Sequence, residues 1–151
     1  MVATGNTLAR PIEILLAEDS ATDAGLTKLA LARCSRVPVV HHVKDGEEAM
    51  AFLRQEGDFE AQRRPDLLLL DLNMPRKDGR EVLAEIRSDP GLHHLPVVIL
   101  TTSSNDRDVQ TAYNLNVNSY VSKPVDLDEF TSVIQSFVEF WLRNVTLPSE
   151  D

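Results

Sequence analysis

Pro65-Asp66-Leu67-Leu68-Leu69-Leu70-Asp71-Leu72-Asn73-Met74-Pro75 is the stretch that decides the fold. A continuous apolar run such as Leu67–Leu70 reads as a strand buried on both faces, the condition of a parallel sheet. Asp71 closes that run and puts charge at the sheet edge where open α/β folds bind ligands. A second apolar strand, Ile14-Leu15-Leu16-Ala17, also ends in acids, Glu18 and Asp19. If the two strands are neighbours, three carboxylates converge on one pocket. Such a pocket is a cation site with a reactive carboxylate in it.

Apolar runs and helix-period stretches alternate along the rest of the chain. Strand signals fall near Ile12–Ala17, Val37–Val43, Leu67–Leu70, Pro96–Leu100 and Ser119–Val121. Amphipathic segments lie between and after them, at about Asp23–Arg33, Glu47–Gln55, Arg80–Ser88, Asp106–Leu115 and Asp126–Trp141. Asp45-Gly46, Asp78-Gly79 and Pro90-Gly91 read as turns. Five βα units in series imply an α/β fold, a doubly wound five-stranded parallel sheet with helices on both faces. The order 2-1-3-4-5 sets strands one, three and four side by side, with Glu18-Asp19, Asp71 and Thr101-Thr102 at their C-terminal ends. The fifth strand ends in Lys123-Pro124. Polar residues gathered at matching strand ends make this order the economical choice.

At about 4 Å and an effective dielectric of about 20, two like charges repel by about 4 kcal/mol. Three carboxylates therefore share a pocket only with raised pKa values or a bound cation. Hard oxygen ligands favour Mg²⁺ or a similar ion. Lys123 offers a compact charge for a phosphoryl oxygen, and Thr101 a small hydroxyl donor. An aspartate oxygen beside Mg²⁺, lysine and a hydroxyl is arranged to attack phosphorus in line and form an aspartyl phosphate. Each piece alone has a plainer reading. Glu18-Asp19-Ser20 would cap a helix, and Asp71 would open the turn Asn73-Met74-Pro75. Thr101 would be a strand-end hydroxyl, and Lys123 a solvated loop lysine. Acid pair, single acid, threonine and Lys-Pro, each at a strand end, are not accounted for by those readings together.

The chain resembles the receiver domains of two-component response regulators. The residues that carry the likeness are Leu15-Leu16-Ala17-Glu18-Asp19-Ser20, Leu70-Asp71-Leu72-Asn73-Met74-Pro75 with Asp78-Gly79, Pro96-Val97-Val98-Ile99-Leu100-Thr101, Tyr120 and Lys123-Pro124. The resemblance runs from about Pro11 to Trp141 and implies the flavodoxin-like strand order given above. It implies Asp71 as phosphoacceptor, with Asp19, Asp71 and the Asn73 carbonyl on Mg²⁺ and Glu18 reaching the metal through water. Thr101 and Lys123 would hold the phosphoryl group, and Tyr120 would be an aromatic switch. Thr102 stands where the family often has alanine, a difference that bears on phosphoryl access and lifetime.

A narrower likeness links the chain to the small regulators paired with cyanobacterial phytochromes. It rests on Arg64-Pro65-Asp66, the run Gly79-Arg80-Glu81-Val82-Leu83-Ala84-Glu85-Ile86, Leu100-Thr101-Thr102-Ser103 and the tail Phe140-Trp141-Leu142 with Val145-Thr146-Leu147-Pro148. It implies a light-regulated histidine kinase as phosphodonor. The expectation is a single-domain response regulator that takes a phosphoryl group onto Asp71 and switches a protein-interaction surface. It would be a signalling protein with self-catalysed phosphotransfer and autodephosphorylation rather than a conventional enzyme. The alternatives are a phosphorelay intermediate or phosphate sink, and a phosphatase with an aspartyl nucleophile. Such phosphatases usually carry a second acid two residues after the nucleophile, where this chain has Asn73. A flavodoxin-like binding module would need a phosphate-cradling loop, and no such loop is present.

The length of 151 residues suits one domain with a real core. The expected division is a disordered segment 1–10, a receiver domain 11–142 and a tail 143–151. A net charge of −9 argues against non-specific nucleic-acid binding and reads most simply as solubility. No apolar stretch approaches the roughly 20 residues that span a membrane, and no signal-peptide core opens the chain. Cys34 is the single cysteine, which rules out an internal disulfide or a cysteine-based zinc site. A cytoplasmic setting is expected.

His41 and His42 are neighbours in a strand and point to opposite faces, so they cannot share a metal. They and His93-His94 read as structural or solvated histidines, and Arg76-Lys77 as a solvated pair in preference to a kinase-docking one. The last helix carries more information. Leu127, Phe130, Ile134, Phe137 and Trp141 recur at spacings of three and four, while Val133, Val138, Phe140 and Leu142 widen the apolar surface. One face must cover the sheet, and the surplus predicts a homodimer through the last helix, the last strand and the helix before it. Phe137, Phe140 and Trp141 are the candidate dimer residues.

Overall fold

The computed structural model describes residues 11–102, 105–124 and 126–144. The candidate segment 1–10, most of the tail and Ser103 lie outside the described residues. Five strands, β1 (Glu13–Ala17), β2 (Val39–Val43), β3 (Leu67–Leu70), β4 (Val97–Thr101) and β5 (Ser119–Ser122), form one sheet. Their order is β2-β1-β3-β4-β5, and every neighbouring pair is parallel. The helices are α1 (Ala21–Ala32), α2 (Gly46–Leu53), α3 (Gly79–Ser88), α4 (Asp106–Asn114) and α5 (Leu127–Asn144), with a 3₁₀ turn at Gly57–Phe59.

The strand with the leucine run is central and sealed. Leu67, Leu68, Leu69 and Leu70 are all buried. Leu68 and Leu70 enter one core layer with Leu15, Phe52, Leu83 and Ile99 beneath α2, α3 and α4. Leu67 and Leu69 enter the other layer, with Leu16, Leu31, Ile134 and Trp141 beneath α1 and α5. Alternate side chains of a strand point to opposite faces, so helices on both sides demand an apolar residue at every position. Burying one leucine side chain contributes about 2 kcal/mol.

The edge strand β2 is shorter than its apolar pattern predicts. Pro38 offers no N–H to the ladder, and pairing starts at Val39, whose N–H donates to the Ile12 carbonyl at 2.8 Å. Both expected Asp-Gly turns are instead helix starts. Asp45 caps α2, its Oδ1 accepting from Glu48 N–H at 2.8 Å. Asp78 caps α3 in a complete capping box with Glu81. Glycine follows each because the backbones touch there. A Cβ on Gly46 would lie 1.9 Å from the Lys77 carbonyl oxygen, and one on Gly79 would lie 2.3 Å from that of Asp71.

At the opposite rim of the sheet, Arg87 ties two connections together. Its guanidinium donates to the carbonyls of His93, Leu95, Leu115 and Asn116 at 2.7–3.0 Å. Burial without a carboxylate partner of comparable weight lowers its pKa. The last helix also differs in detail from its predicted seam. Among the side chains described in that helix, Phe130, Ile134, Val138 and Trp141 are the buried ones, whereas Leu127 is 52% exposed. Steps of four, four and three follow the 3.6-residue period of a straight helix, so the buried stripe drifts away from Leu127.

Candidate functional site

Glu18 follows β1 and Asp71 follows β3 at the C-terminal edge of the sheet, where Ala17 and Leu70 are paired. The Asp71 N–H donates to the Ala17 carbonyl at 3.0 Å. One carboxylate oxygen each from Glu18, Asp19 and Asp71 lies within 4.8 Å of the others. Glu18 and Asp71 are buried, while Asp19 is exposed on the solvent side. Asp71 Oδ1 accepts from Asn73 N–H at 3.1 Å, so the carboxylate also braces the turn that follows it. Ser20 caps α1 through its Oγ, and its N–H donates to Glu18 Oε2 at 3.2 Å.

Lys123 reaches this cluster from the end of β5. Its Nζ lies 2.5 Å from Glu18 Oε1, 2.9 Å from Asp23 Oδ2 and 3.3 Å from Asp71 Oδ2. Its N–H donates to the Thr101 carbonyl at 2.8 Å, which places buried Thr101 at the adjacent strand end. Tyr120 is partly buried in β5 opposite Ile99 and packs against the core layer under α4. Asn73 is exposed directly beyond Asp71. The sequence-derived site residues Glu18, Asp19, Asp71, Thr101 and Lys123 are thus gathered at one edge.

Burial drives the electrostatics. Desolvation pushes the Glu18 carboxyl up to about 7, aided by the charge of Asp71 and opposed by its bond to Lys123. Desolvation also acts to lower Lys123, but hydrogen bonds to Glu18 and Asp23 and the charge of Asp71 hold it above its ordinary value. Lys123 is thus held as a cation, and one ammonium serves several acids whose charges are crowded together. The donor set suits a hard divalent cation, with Glu18, Asp19 and Asp71 as oxygen ligands and open access past Asp19 for waters.

One residue at the site, Asp23, was not singled out from sequence, and one read as structural, His42, stands beside it. Asp23 grips Lys123 from the first turn of α1, and His42 places its Nε2 2.7 Å from the Glu18 carbonyl oxygen. The Ser20-Ala21-Thr22-Asp23 spacing is that of a helix cap, which hides any other role of the acid. His41, on the other face of β2, pairs with Glu13 and packs on Phe52, while the rings of His93 and His94 meet at a tilt on the surface. Arg76 is largely exposed and pairs with Asp45, and Lys77 bonds to Glu85.

The candidate dimer residues divide. Phe140 is 64% exposed, whereas Trp141 is 5% exposed inside the core and Phe137 is half-buried against the same layer. A helix that folds back on the sheet uses its aromatic residues there first, and of these three Phe140 is the most exposed. Among the described residues no helix is long and apolar enough to cross a membrane.

Residues 14–135 match the family described as response regulator receiver domain. Response regulator Rcp1 of Synechocystis sp. is 48% identical over 139 residues, or 92% of this chain and 95% of that protein. The probable methanogenesis regulatory protein FilR2 of Methanothrix harundinacea is 38% identical over 133 residues, or 87% of this chain and 84% of that protein. Among solved structures, the phosphorylated cyanobacterial phytochrome response regulator RcpA superposes with a TM-score of 0.88. It is 49% identical, and the match covers 93% of this chain and 100% of that one. The Mn²⁺-bound form of Rcp1 gives a TM-score of 0.88 at 47% identity, over 92% and 100% of the two chains.

Proposed function

Because the chain belongs to the response regulator receiver domain family, we propose that it accepts a phosphoryl group from a histidine kinase onto Asp71 in a Mg²⁺-dependent reaction. The observation that carries this reading is the meeting of Glu18, Asp19 and Asp71 oxygens within 4.8 Å, beside the Lys123 ammonium. The donor is a phytochrome-type, light-sensing kinase. Support for it comes from the likeness to Rcp1 and to phytochrome response regulator RcpA.

An Asp71 carboxylate oxygen bonds to phosphorus as the bond to the kinase's histidine nitrogen breaks, and the imidazole keeps the electron pair and takes a proton. Lys123 holds a phosphoryl oxygen in place of its contact with Asp71, and the Thr101 hydroxyl donates to another. Glu18, Asp19, Asp71 and the Asn73 carbonyl would hold the Mg²⁺, Glu18 through a water. The bound ion would neutralise charge on the phosphoryl oxygens during transfer. Hydrolysis of the aspartyl phosphate by water restores Asp71, so the chain resets itself without being a conventional enzyme.

The added charge draws Thr101 and Lys123 towards phosphorus, and Tyr120 turns into the space they leave. The change spreads to the face of β5 and α5. There, a homodimer through α5 and β5 would cover Phe140. The receiver unit spans 11–142, the tail 143–151 follows it, and the chain acts in the cytoplasm without contacting nucleic acid or membrane. With labelled acetyl phosphate and Mg²⁺, the wild type is expected to take up acid-labile phosphate and Asp71→Asn to take up none. Undiminished label on Asp71→Asn would refute the assignment.

A further inference from the structure

An ammonium has three N–H donors, and at Lys123 three carboxylates take them all. Two of these, Glu18 and Asp71, belong to the cation cluster. Asp23 does not. It stands in the first turn of α1, with its side chain 34% exposed, on the wall of a cleft of about 130 Å³ between Leu26, Thr102, Pro124 and Phe130.

The local backbone explains how Asp23 comes to be available. In a capping box its carboxylate would turn back to the Ser20 N–H. Here only half of the box forms. Ser20 Oγ accepts from Asp23 N–H at 3.2 Å, but the Ser20 N–H goes to Glu18 Oε2. With its usual partner taken, the Asp23 carboxylate closes on Lys123 at 2.9 Å, nearer than Asp71 stands.

We propose that Asp23 is a positioning residue that competes with the phosphoryl group for the ammonium of Lys123, and so weakens the hold of the site on that group. The inference rests on Asp71 being the phosphoacceptor. Once phosphorus is on Asp71, that side chain no longer carries its own carboxylate charge, and a phosphoryl oxygen becomes the acceptor. Asp23 keeps its full charge and its grip on the far side of the same nitrogen. The lysine is shared rather than surrendered. A carboxylate beside an anion site also repels the anion itself.

Beryllofluoride in the presence of Mg²⁺ is a stable stand-in for the phosphoryl group, and ¹⁹F NMR titration of the full chain reads its affinity. Asp23→Asn keeps the shape and the helix cap, and is expected to bind beryllofluoride roughly threefold to fivefold more tightly. Mg²⁺ alone should bind it no more tightly than the wild type, because a nearby negative charge has gone. Asp23→Glu restores the charge and should return the affinity towards that of the wild type. Loss of both affinities together in Asp23→Asn would mark a structural role and overturn the proposal, as would unchanged beryllofluoride binding. Equal tightening in Asp23→Asn and Asp23→Glu would overturn it too. Should Asp23→Asn fail to fold, Asp23→Ser is read by the same criteria. A wild type that binds no beryllofluoride would refute the Asp71 reading itself, whereas binding that ignores Asp23 refutes only this inference.

Discussion

Between Lys123 and Asp71, Glu18 keeps its proton up to about pH 7, mainly because it is buried. In the unfolded chain it would titrate near 4.5, so the folded, metal-free protein binds an extra proton between those two values. The stability this confers is complete below about pH 4.5 and is lost as pH rises through about 7. Relative to Glu18→Gln, the metal-free wild type is expected to lose melting temperature between about pH 5 and pH 7, and added Mg²⁺ should remove the difference. Melting curves that run parallel at every pH would contradict it. This residue and its neighbours Asp19 and Asp71 were legible in the sequence because acids at the ends of apolar strands have few structural uses. Asp23 was not, since an acid three residues after Ser20 already satisfies a helix start. His42, read from sequence as a structural or solvated histidine, does bond to a main-chain carbonyl.

Among the elements, α3 meets the site backbone to backbone. Its first residue, Gly79, meets the Asp71 carbonyl so closely that Gly79→Ala must move either the helix or the loop bearing the carboxylate. It is expected to cost about 2–3 kcal/mol in chemical denaturation and to weaken Mg²⁺ binding in calorimetry. Unchanged Mg²⁺ affinity would mean that the helix alone gives way. At the other end of α3, Arg87→Ala would leave four carbonyls without their shared donor. A loss of about 2–3 kcal/mol is expected, and Arg87→Lys should recover only part of it, since a point charge cannot span four acceptors. Strand and helix positions were legible from period alone. The Asp-Gly pairs at 45–46 and 78–79 misled because the same dipeptide serves a turn and a helix start, and only the contact partners of the glycine distinguish them.

For the molecule as a whole, the sheet order followed from where the polar residues fell, and the structure has that order. The surplus apolar surface of α5 was harder to apportion. Trp141 and Phe140 are adjacent in sequence, yet one lies in the core and the other in solvent. A seam with a period of 3.5 residues and a straight helix diverge over that length. If α5 pairs with a second copy, Phe140→Ala should shift sedimentation of the phosphoprotein towards monomer while leaving its melting temperature almost unchanged. A wild type that stays monomeric at tens of micromolar, with and without beryllofluoride, would remove the homodimer. The leucines behind Asp71 carry a last implication. A rod wrapped along its whole length offers visitors only its tip, so donor, water and whatever senses the outcome must all call at the same small doorway and take turns.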